Sequence, residues 1–426
     1  MDGRVWMVRG AVPGDDVFAR PMKDHGRFVD AVVDTVDRHS PSRRPPPCPI
    51  QPECGGCPLM VVGEAPQRSA KKQFVLDALR RIGRLPEDLP VNDVVAAPTS
   101  LGYRNKIELT FGHDRAGNRT VGYHRADEPS TLVDVKECAV ADPRFQPLLA
   151  ASREFFLHGP GSSEPAIDGA RERLRLVLRA SNARDERLVA FRGLPGPFPS
   201  VDEFARVASK ADPGLVGVVR LVAAPGRRGG ALVQTVAGRP WIADEIHGTS
   251  FRVPAGTFLQ VHAAAADVLG GHVLEGAGSP RRVLELYGGI GALGLALARR
   301  GARTTIVDAD PAAIECGIEA ARSCGLTTAE FERADVLAFL GRRRDGTPPD
   351  LVIADPPRTG LGRGVAERLA ALGAARIGMI SCDPATLARD LAALATRGYA
   401  IEQVTPFDLF PQTAHVEAVA WLSRTA

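Results

Sequence analysis

The chain has 426 residues, too many for one ordinary domain, so two or three are expected. An apolar fraction of 44% supplies real cores, and a net charge of +3 excludes a uniformly basic coat for nucleic acid while leaving local patches open. Lysine is scarce: only Lys23, Lys71, Lys72, Lys106, Lys136 and Lys210, so arginine carries most of the positive charge, a bias that a GC-rich genome explains. The opening MDGRVWMVRG has no secretory hydrophobic region, and no stretch of membrane-spanning length lacks charges or glycine breaks. A soluble, cytoplasmic protein is expected. Seven cysteines then point to metal or catalysis rather than disulfides.

Residues 4 to 36 read as short alternating strands around Val5, Met7, Val17, Phe18, Phe28, Val29, Ala31, Val33 and Val36, broken at Pro13-Gly14-Asp15. The pattern predicts a small OB-like β-barrel over 1–45. Its arginines and Lys23 form either an RNA-binding face or solvated strand faces. A Pro/Arg-rich hinge, SPSRRPPPCPIQP, follows. Next come Cys48, Cys54 and Cys57 at C-x5-C-x2-C spacing around two glycines, a metal-binding loop that needs a fourth ligand. Cys138 is the next cysteine; Cys316, Cys324 and Cys382 fall in the later domain. Four thiolates suit Zn²⁺ or an iron–sulfur cluster. Structural zinc sites usually pair two short knuckles and only one is present, so the reading leans to a structural iron–sulfur cluster.

Residues 64 to 84 predict a helix with Lys71, Lys72, Arg80, Arg81 and Arg84 on polar positions. Tyr103-Arg104-Asn105-Lys106 opens a β-rich tract, 93 to 250, with Pro/Gly loops at 159–166, 193–200 and 224–230 and no visible catalytic constellation. Residues 46–255 are therefore assigned to a cysteine-bearing, β-rich central domain. FLQVH at 258–262 precedes an Ala-rich helix, and residues 256–426 form the third domain. From Arg282 the texture is α/β, strands alternating with helices in the Rossmann-like, doubly wound manner. Strand one, VLELY, runs into Gly288-Gly289-Ile290-Gly291; a second strand ends at Asp308, a third precedes Asp335, and a fourth ends at Asp355 in LVIADPPRTG. A fifth, IGMIS, ends at Cys382, where Asp383 is a helix N-cap and Pro384 the first helical residue. The last strand, VEAVAWL, opens near Glu417.

Ligands of such sheets bind outside the carboxyl ends of the strands, so the glycine loop, Asp308, Asp355 and Cys382 converge on one crevice. A glycine loop alone is shared with NAD enzymes. A cysteine at a helix N-terminus is biased toward thiolate by the helix dipole. Thiolate, carboxylate and glycine-loop cofactor site together fit methylation of a pyrimidine at C5. In amino-group methyltransferases an aromatic residue follows the Asp-Pro-Pro turn, whereas Arg358 does here.

The cysteine pattern with Cys138, FLQV, ELYGGIG, DPPRTG, SCDPATLARD and HVE at 415–417 resemble the RNA (uracil-5-)-methyltransferase family, in its iron–sulfur branch with an N-terminal TRAM domain. The resemblance covers nearly the whole chain. It implies a class I methyltransferase domain, Cys382 as nucleophile, Glu417 as proton acceptor and Asp355 holding the uracil edge. It implies S-adenosyl-L-methionine contacts from Gln260, Tyr287, Gly289, Asp308, Asp335 and Asp355, with a [4Fe-4S] cluster on Cys48, Cys54, Cys57 and Cys138. Arg358 and Arg389 support the same loops. The implied partner is RNA, ribosomal first and transfer RNA second, for a monomeric enzyme. A helix near 60–92 can pack on the C-terminal domain in this family. The chain departs from the pattern at His262, Gly288, Ala292 and Asp308. A cytosine-5 RNA methyltransferase is the runner-up, disfavoured by Arg358 where such enzymes place a cysteine. A non-catalytic RNA-binding protein is a third reading, opposed by intact Cys382, Asp355 and Glu417.

Overall fold

The structure, a computed structural model, describes residues 3–164, 174–193, 195–223, 231–342 and 347–425. The loop expected at 224–230, and parts of those expected at 159–166 and 193–200, lie outside the described residues.

Three strands, β1 (Val5–Arg9), β2 (Asp16–Asp24) and β3 (Phe28–Arg38), form a sheet of order β1-β3-β2, with β1 parallel and β2 antiparallel to β3. The expected barrel is thus an open three-stranded sheet among the described residues, because β1 and β2 both pair with β3 and not with each other. Several of its arginines are committed locally, in Arg4–Asp24, Arg20–Asp34 and Arg38–Asp16 pairs. Arg43 clamps Asp15 at 2.6 Å, holding that carboxyl well below the usual range.

Helix α1 (Glu64–Arg81) comes next. The central sheet has seven strands: β4 (Lys106–His113), β5 (Arg119–His124), β6 (Leu132–Asp134), β7 (Arg175–Ala180), β8 (Arg187–Gly193), β9 (Leu215–Ala223) and β10 (Ala231–Gly238), ordered β10-β9-β8-β7-β4-β5-β6. Helices α2 (Gln146–Arg153) and α3 (Val201–Ala211) cover one face, over a core of Phe111, Phe156, Phe191 and Phe204 whose rings meet edge-on or tilted, a favourable aromatic arrangement. A hairpin, β11 (Trp241–Ile246) and β12 (Thr249–Pro254), leads to the last domain.

That domain contains α4 (Ala263–Gly276), β13 (Arg282–Leu286), α5 (Ala292–Arg299), β14 (Arg303–Asp308), α6 (Pro311–Ser323), β15 (Ala329–Arg333), α7 (Val336–Arg342), β16 (Leu351–Ala354), α8 (Val365–Ala371), β17 (Arg376–Ser381), α9 (Pro384–Ala395), β18 (Tyr399–Phe407) and β19 (Glu417–Arg424). Its sheet runs β15-β14-β13-β16-β17-β19-β18, parallel except for β19. The apolar runs of β16 and β17 are buried on both faces, as helix-covered parallel strands require.

Helix α1 belongs physically to this last domain. Val75, Ala78 and Leu79 bury against Leu387, Leu391 and Leu394 of α9, each large side chain contributing about 1.5–3 kcal/mol. The chain after it runs beside β18: Val91 and Val95 bridge to Val404 and Phe407. Residues 64–95 therefore interrupt the expected central block. Among the described residues no helix is long and apolar enough to cross a membrane.

Candidate active site

The crevice opens at the carboxyl ends of β13, β14, β16 and β17. β13 and β16 are neighbours, with Leu286 opposite Ala354, so Tyr287 and Asp355 leave the sheet side by side. This is the point where the strand order reverses, which is where doubly wound sheets bind ligands. A cavity of about 200 Å³ lies there, lined by Gln260, Tyr287, Gly289 and Asp355 among others. Asp308 does not line the cavity but fixes its floor. One carboxylate oxygen accepts from the Gly289 N–H at 2.8 Å and the other from the Asp310 N–H at 2.8 Å. Asp335 is exposed and caps α7, accepting from the Ala338 N–H at 3.0 Å. Its charge still reaches Tyr287, whose hydroxyl is pushed up to about 12, first by burial.

Tyr287 takes a left-handed φ of 58°, unusual for a residue with a Cβ and a local strain concentrated at the site. Its hydroxyl donates to Leu361 O at 2.9 Å. The same Leu361 donates its N–H to Asp390 at 2.8 Å, and Arg389 donates to Thr359 O at 2.8 Å. The turn after Asp355 is thus held from both sides, and Arg389 supports it as expected.

Cys382 is half-buried just past the end of β17, and Asp383 caps α9 by accepting from the Thr386 N–H at 2.9 Å. Ser381 pairs with Ala418 across β17 and β19, which sets Glu417 in line with Cys382 on the neighbouring strand. Glu417 is buried, and its carboxyl stands well above the usual range because of burial and the charge of Asp355, with Arg358 pulling the other way. The Cys382 thiol is likewise pushed up by burial, then by Glu417 and Asp355, and eased by Arg358. Burial of the sulfur thus opposes the thiolate bias expected from the helix end. Asp355 is open to the crevice, yet its walls and then Asp308 push it up to about 7.

Sequence reasoning missed Glu285. It is buried beneath the glycine loop, accepts from the Gly294 N–H at 2.9 Å, and is pushed up to about 8, chiefly by burial. Gly294 must be glycine here, since a Cβ would overlap that carboxylate. The opposite wall was also missed: Asn182, Asp244, His247 and Asp267 come from the β-rich domain, the β11–β12 hairpin and α4. Nothing in their local pattern marks them. Asn105 could have been found within YRNK. It binds Val261 O through its N–H at 2.9 Å and Gln260 O through its side chain at 3.1 Å, so it sets Gln260. His262 caps α4 through Nδ1 and meets Thr99 O at 2.9 Å through Nε2, doing with an imidazole what an Asn cap does.

Cys48, Cys54, Cys57 and Cys138 ring a second cavity of about 340 Å³, together with Arg104, Lys106 and Tyr123. Burial, and then the nearby sulfurs, push Cys57 up to about 12; Cys54 is raised as well, while Arg104 counteracts both. Among the described residues no group of three or more His, Cys, Asp or Glu side chains is arranged to hold a single metal ion. The Arg104 Nε is buried without a hydrogen-bond partner at this thiol cavity.

The parallel sheet, its antiparallel β19 and the crevice at the switch point define a class I methyltransferase fold. The family profile described as tRNA (Uracil-5-)-methyltransferase matches residues 341–425, and that of Conserved hypothetical protein 95 matches 257–373. An uncharacterized RNA methyltransferase of Gloeobacter violaceus is 35% identical over 100% of this chain and 92% of its own length. One of Thermosynechococcus vestitus is 35% identical, over 99% and 94%. Among solved structures, the Pyrococcus abyssi tRNA (uracil-54, C5)-methyltransferase in complex with S-adenosyl-L-homocysteine superposes with a TM-score of 0.73 at 25% identity, covering 97% of this chain and 95% of that one. The chain belongs to the RNA (uracil-5-)-methyltransferase family.

Proposed function

We propose that this RNA methyltransferase transfers the methyl group of S-adenosyl-L-methionine to C5 of a uridine in RNA, through a covalent Cys382–C6 adduct. The observation that carries the reading is the placing of Cys382 and Glu417 side by side at the ends of β17 and β19, with Asp355 at the end of neighbouring β16 lining the glycine-loop cavity. C5 of uracil is a poor nucleophile. The Cys382 thiolate adds to C6, and the enolate so formed attacks the methyl sulfonium, releasing S-adenosyl-L-homocysteine. The Glu417 carboxylate then removes the C5 proton. The C5–C6 double bond reforms and expels the thiolate, which restores the enzyme. The uridine must leave its stack to reach these groups.

In this reading Asp355, raised to about 7 and so protonated on the acid side of neutrality, donates to the uracil edge, and Arg358 steadies the negative charge that forms. Gln260, Tyr287, Gly289, Asp308 and Asp335 surround the cofactor, with Asp308 acting through the Gly289 N–H that it holds. Cys48, Cys54, Cys57 and Cys138 hold a [4Fe-4S] cluster. Four cysteines lining one cavity with Arg104 and Lys106 supply the thiolate donor set and the compensating charge that such a cluster takes. The cluster organises the loops around it and takes no part in the transfer.

Ribosomal RNA is the first candidate substrate, from the iron–sulfur branch that the cysteine pattern resembles. Transfer RNA is the second, favoured by the likeness to the Pyrococcus abyssi enzyme. The test is nucleoside analysis after incubating protein, S-adenosyl-L-methionine and each RNA. The reading predicts 5-methyluridine, absent with Cys382→Ala. Formation of 5-methylcytidine, or unchanged product with Cys382→Ala, contradicts it. Mapping 5-methyluridine in cellular RNA with and without the gene decides between the two RNAs.

A further inference from the structure

Glu417 opens β19, and the segment before it, Asp408 to Val416, is a long non-strand connection from β18. Such a connection would ordinarily place its last residue poorly. Here its first half is fastened, at Asp408, Phe410, Pro411 and Gln412, to parts of the chain more than three hundred residues away in sequence. Lys71 on α1 is completely buried; its ammonium meets Asp408 at 2.5 Å and Phe410 O at 3.0 Å. One turn earlier on the same face, Gln67 exchanges two hydrogen bonds with Gln412. The Gln412 N–H donates to Gln67 at 3.0 Å, and the Gln67 amide donates to the Gln412 side chain at 3.0 Å. Gln412 sits at a φ of 71°, a costly conformation that these bonds fix.

The same Gln67 amide donates to Leu59 O at 2.9 Å and Val62 O at 2.8 Å, and the Leu59 N–H donates to Gln412 O at 3.0 Å. Leu59 lies two residues beyond Cys57. The Tyr103 hydroxyl completes the ring, donating to Pro411 O at 3.0 Å. The helix, the cysteine loop and the 408–413 turn are therefore one hydrogen-bonded block, and Glu417 is the titratable group at its exit.

We infer that Gln67 and Lys71 are positioning residues for Glu417: a strut from α1 that holds the connecting turn so that the carboxylate meets the C5 proton of the adduct. The inference rests on the covalent uracil mechanism proposed above. Neither side chain lines the cofactor cavity, which the held turn reaches only through Leu409, so the strut acts first on proton removal. A misplacement of the base by about 1 Å costs on the order of 100-fold in rate.

The test compares Gln67→Leu and the double variant Lys71→Met/Asp408→Asn with Glu417→Gln and wild type. The double variant removes the ion pair without leaving an unpaired buried charge, so it folds even if Gln67→Leu does not. Each protein is incubated with S-adenosyl-L-methionine and a uridine-containing RNA substrate. Covalent protein–RNA adduct is read on a denaturing gel, alongside kcat, iron per chain and affinity for S-adenosyl-L-homocysteine. The expected result is adduct accumulation like that of Glu417→Gln and kcat lower by about 100-fold, with iron unchanged in the double variant, whose two side chains make no bond to the cysteine loop, and S-adenosyl-L-homocysteine still bound. Wild-type turnover, or loss of adduct and cofactor binding together with kcat, overturns the inference while Glu417→Gln still traps adduct. Absence of adduct in Glu417→Gln as well overturns the covalent mechanism itself.

Discussion

Cys382 lies one residue beyond β17, and Glu417 is the first residue of β19, its antiparallel neighbour, in the register that pairs Ser381 with Ala418. Thirty-four residues of chain lie between the two, yet the antiparallel edge returns the acid to the sulfur. The insertion of β19 between β17 and β18 thus has a chemical consequence: it delivers a carboxylate to the one crevice where a parallel sheet presents its strand ends.

Both reacting groups are protonated more readily than usual, so turnover depends on removing protons. Cys382 and Glu417 are each raised by burial and then by a neighbouring carboxyl, and Arg358 lowers both. The rate of methyl transfer should be lost on the acid side, rise as Cys382 and Glu417 give up their protons, and fall again once Asp355, raised to about 7, loses the proton it donates to the uracil edge. Arg358→Gln should shift the profile toward alkaline pH by about one unit, since the opposing charge is gone. A pH series of single-turnover rates measures this; an unchanged profile contradicts the assignment.

Glu285 carries a stability signature. Its carboxyl is pushed from 4.5 up to about 8 in the folded chain, so the native state holds the proton more tightly than the unfolded one. That contribution is fully present below about pH 4.5 and is lost as pH rises toward 8. Glu285→Gln keeps an acceptor for the Gly294 N–H and cannot ionise. It should raise Tm more at pH 8 than at pH 5, by on the order of 2–4 kcal/mol of stability at the higher pH. Equal Tm changes at both pH values in a thermal melt would rule out a buried, ionisable Glu285.

Asp308 holds the glycine loop by two hydrogen bonds to backbone N–H groups. Asp308→Ala frees both, and affinity for S-adenosyl-L-methionine should fall by roughly 1.5–3 kcal/mol, the range for hydrogen bonds to a charged group. Calorimetric titration measures it, and Asp335→Ala, which breaks a helix cap further out, should lose less.

The thiol cavity makes a metal-specific prediction. Anaerobically purified protein should be brown and carry about four irons per chain, and Cys54→Ser should lower both colour and iron. Stoichiometric zinc in the anaerobic protein contradicts the cluster assignment.

Much of the last domain was legible because local rules decide it. Apolar runs of strand length end in Asp308, Asp355 and Cys382, and Asp383-Pro384 starts α9 as a cap and first helical residue should. What stayed hidden depends on partners distant in sequence. Lys71 reads as a polar helix position, but its partner Asp408 lies 337 residues away and buries it. The Cys382 shift runs against the helix-end expectation because its largest cause is burial of the sulfur, which packing sets and the local sequence does not show. The N-terminal strands were found, but strand composition does not say which edges pair, and the sheet stays open. Asn182 and Asp244 reach the crevice only because the central domain and the β11–β12 hairpin fold against α4.

The most direct test is peptide mapping of Glu417→Gln after incubation with S-adenosyl-L-methionine and substrate RNA, followed by nuclease and protease digestion. The account predicts a methylated uridine nucleotide attached to the peptide that contains Cys382. Attachment at another cysteine, or a fully active variant with no attached nucleotide, would contradict it.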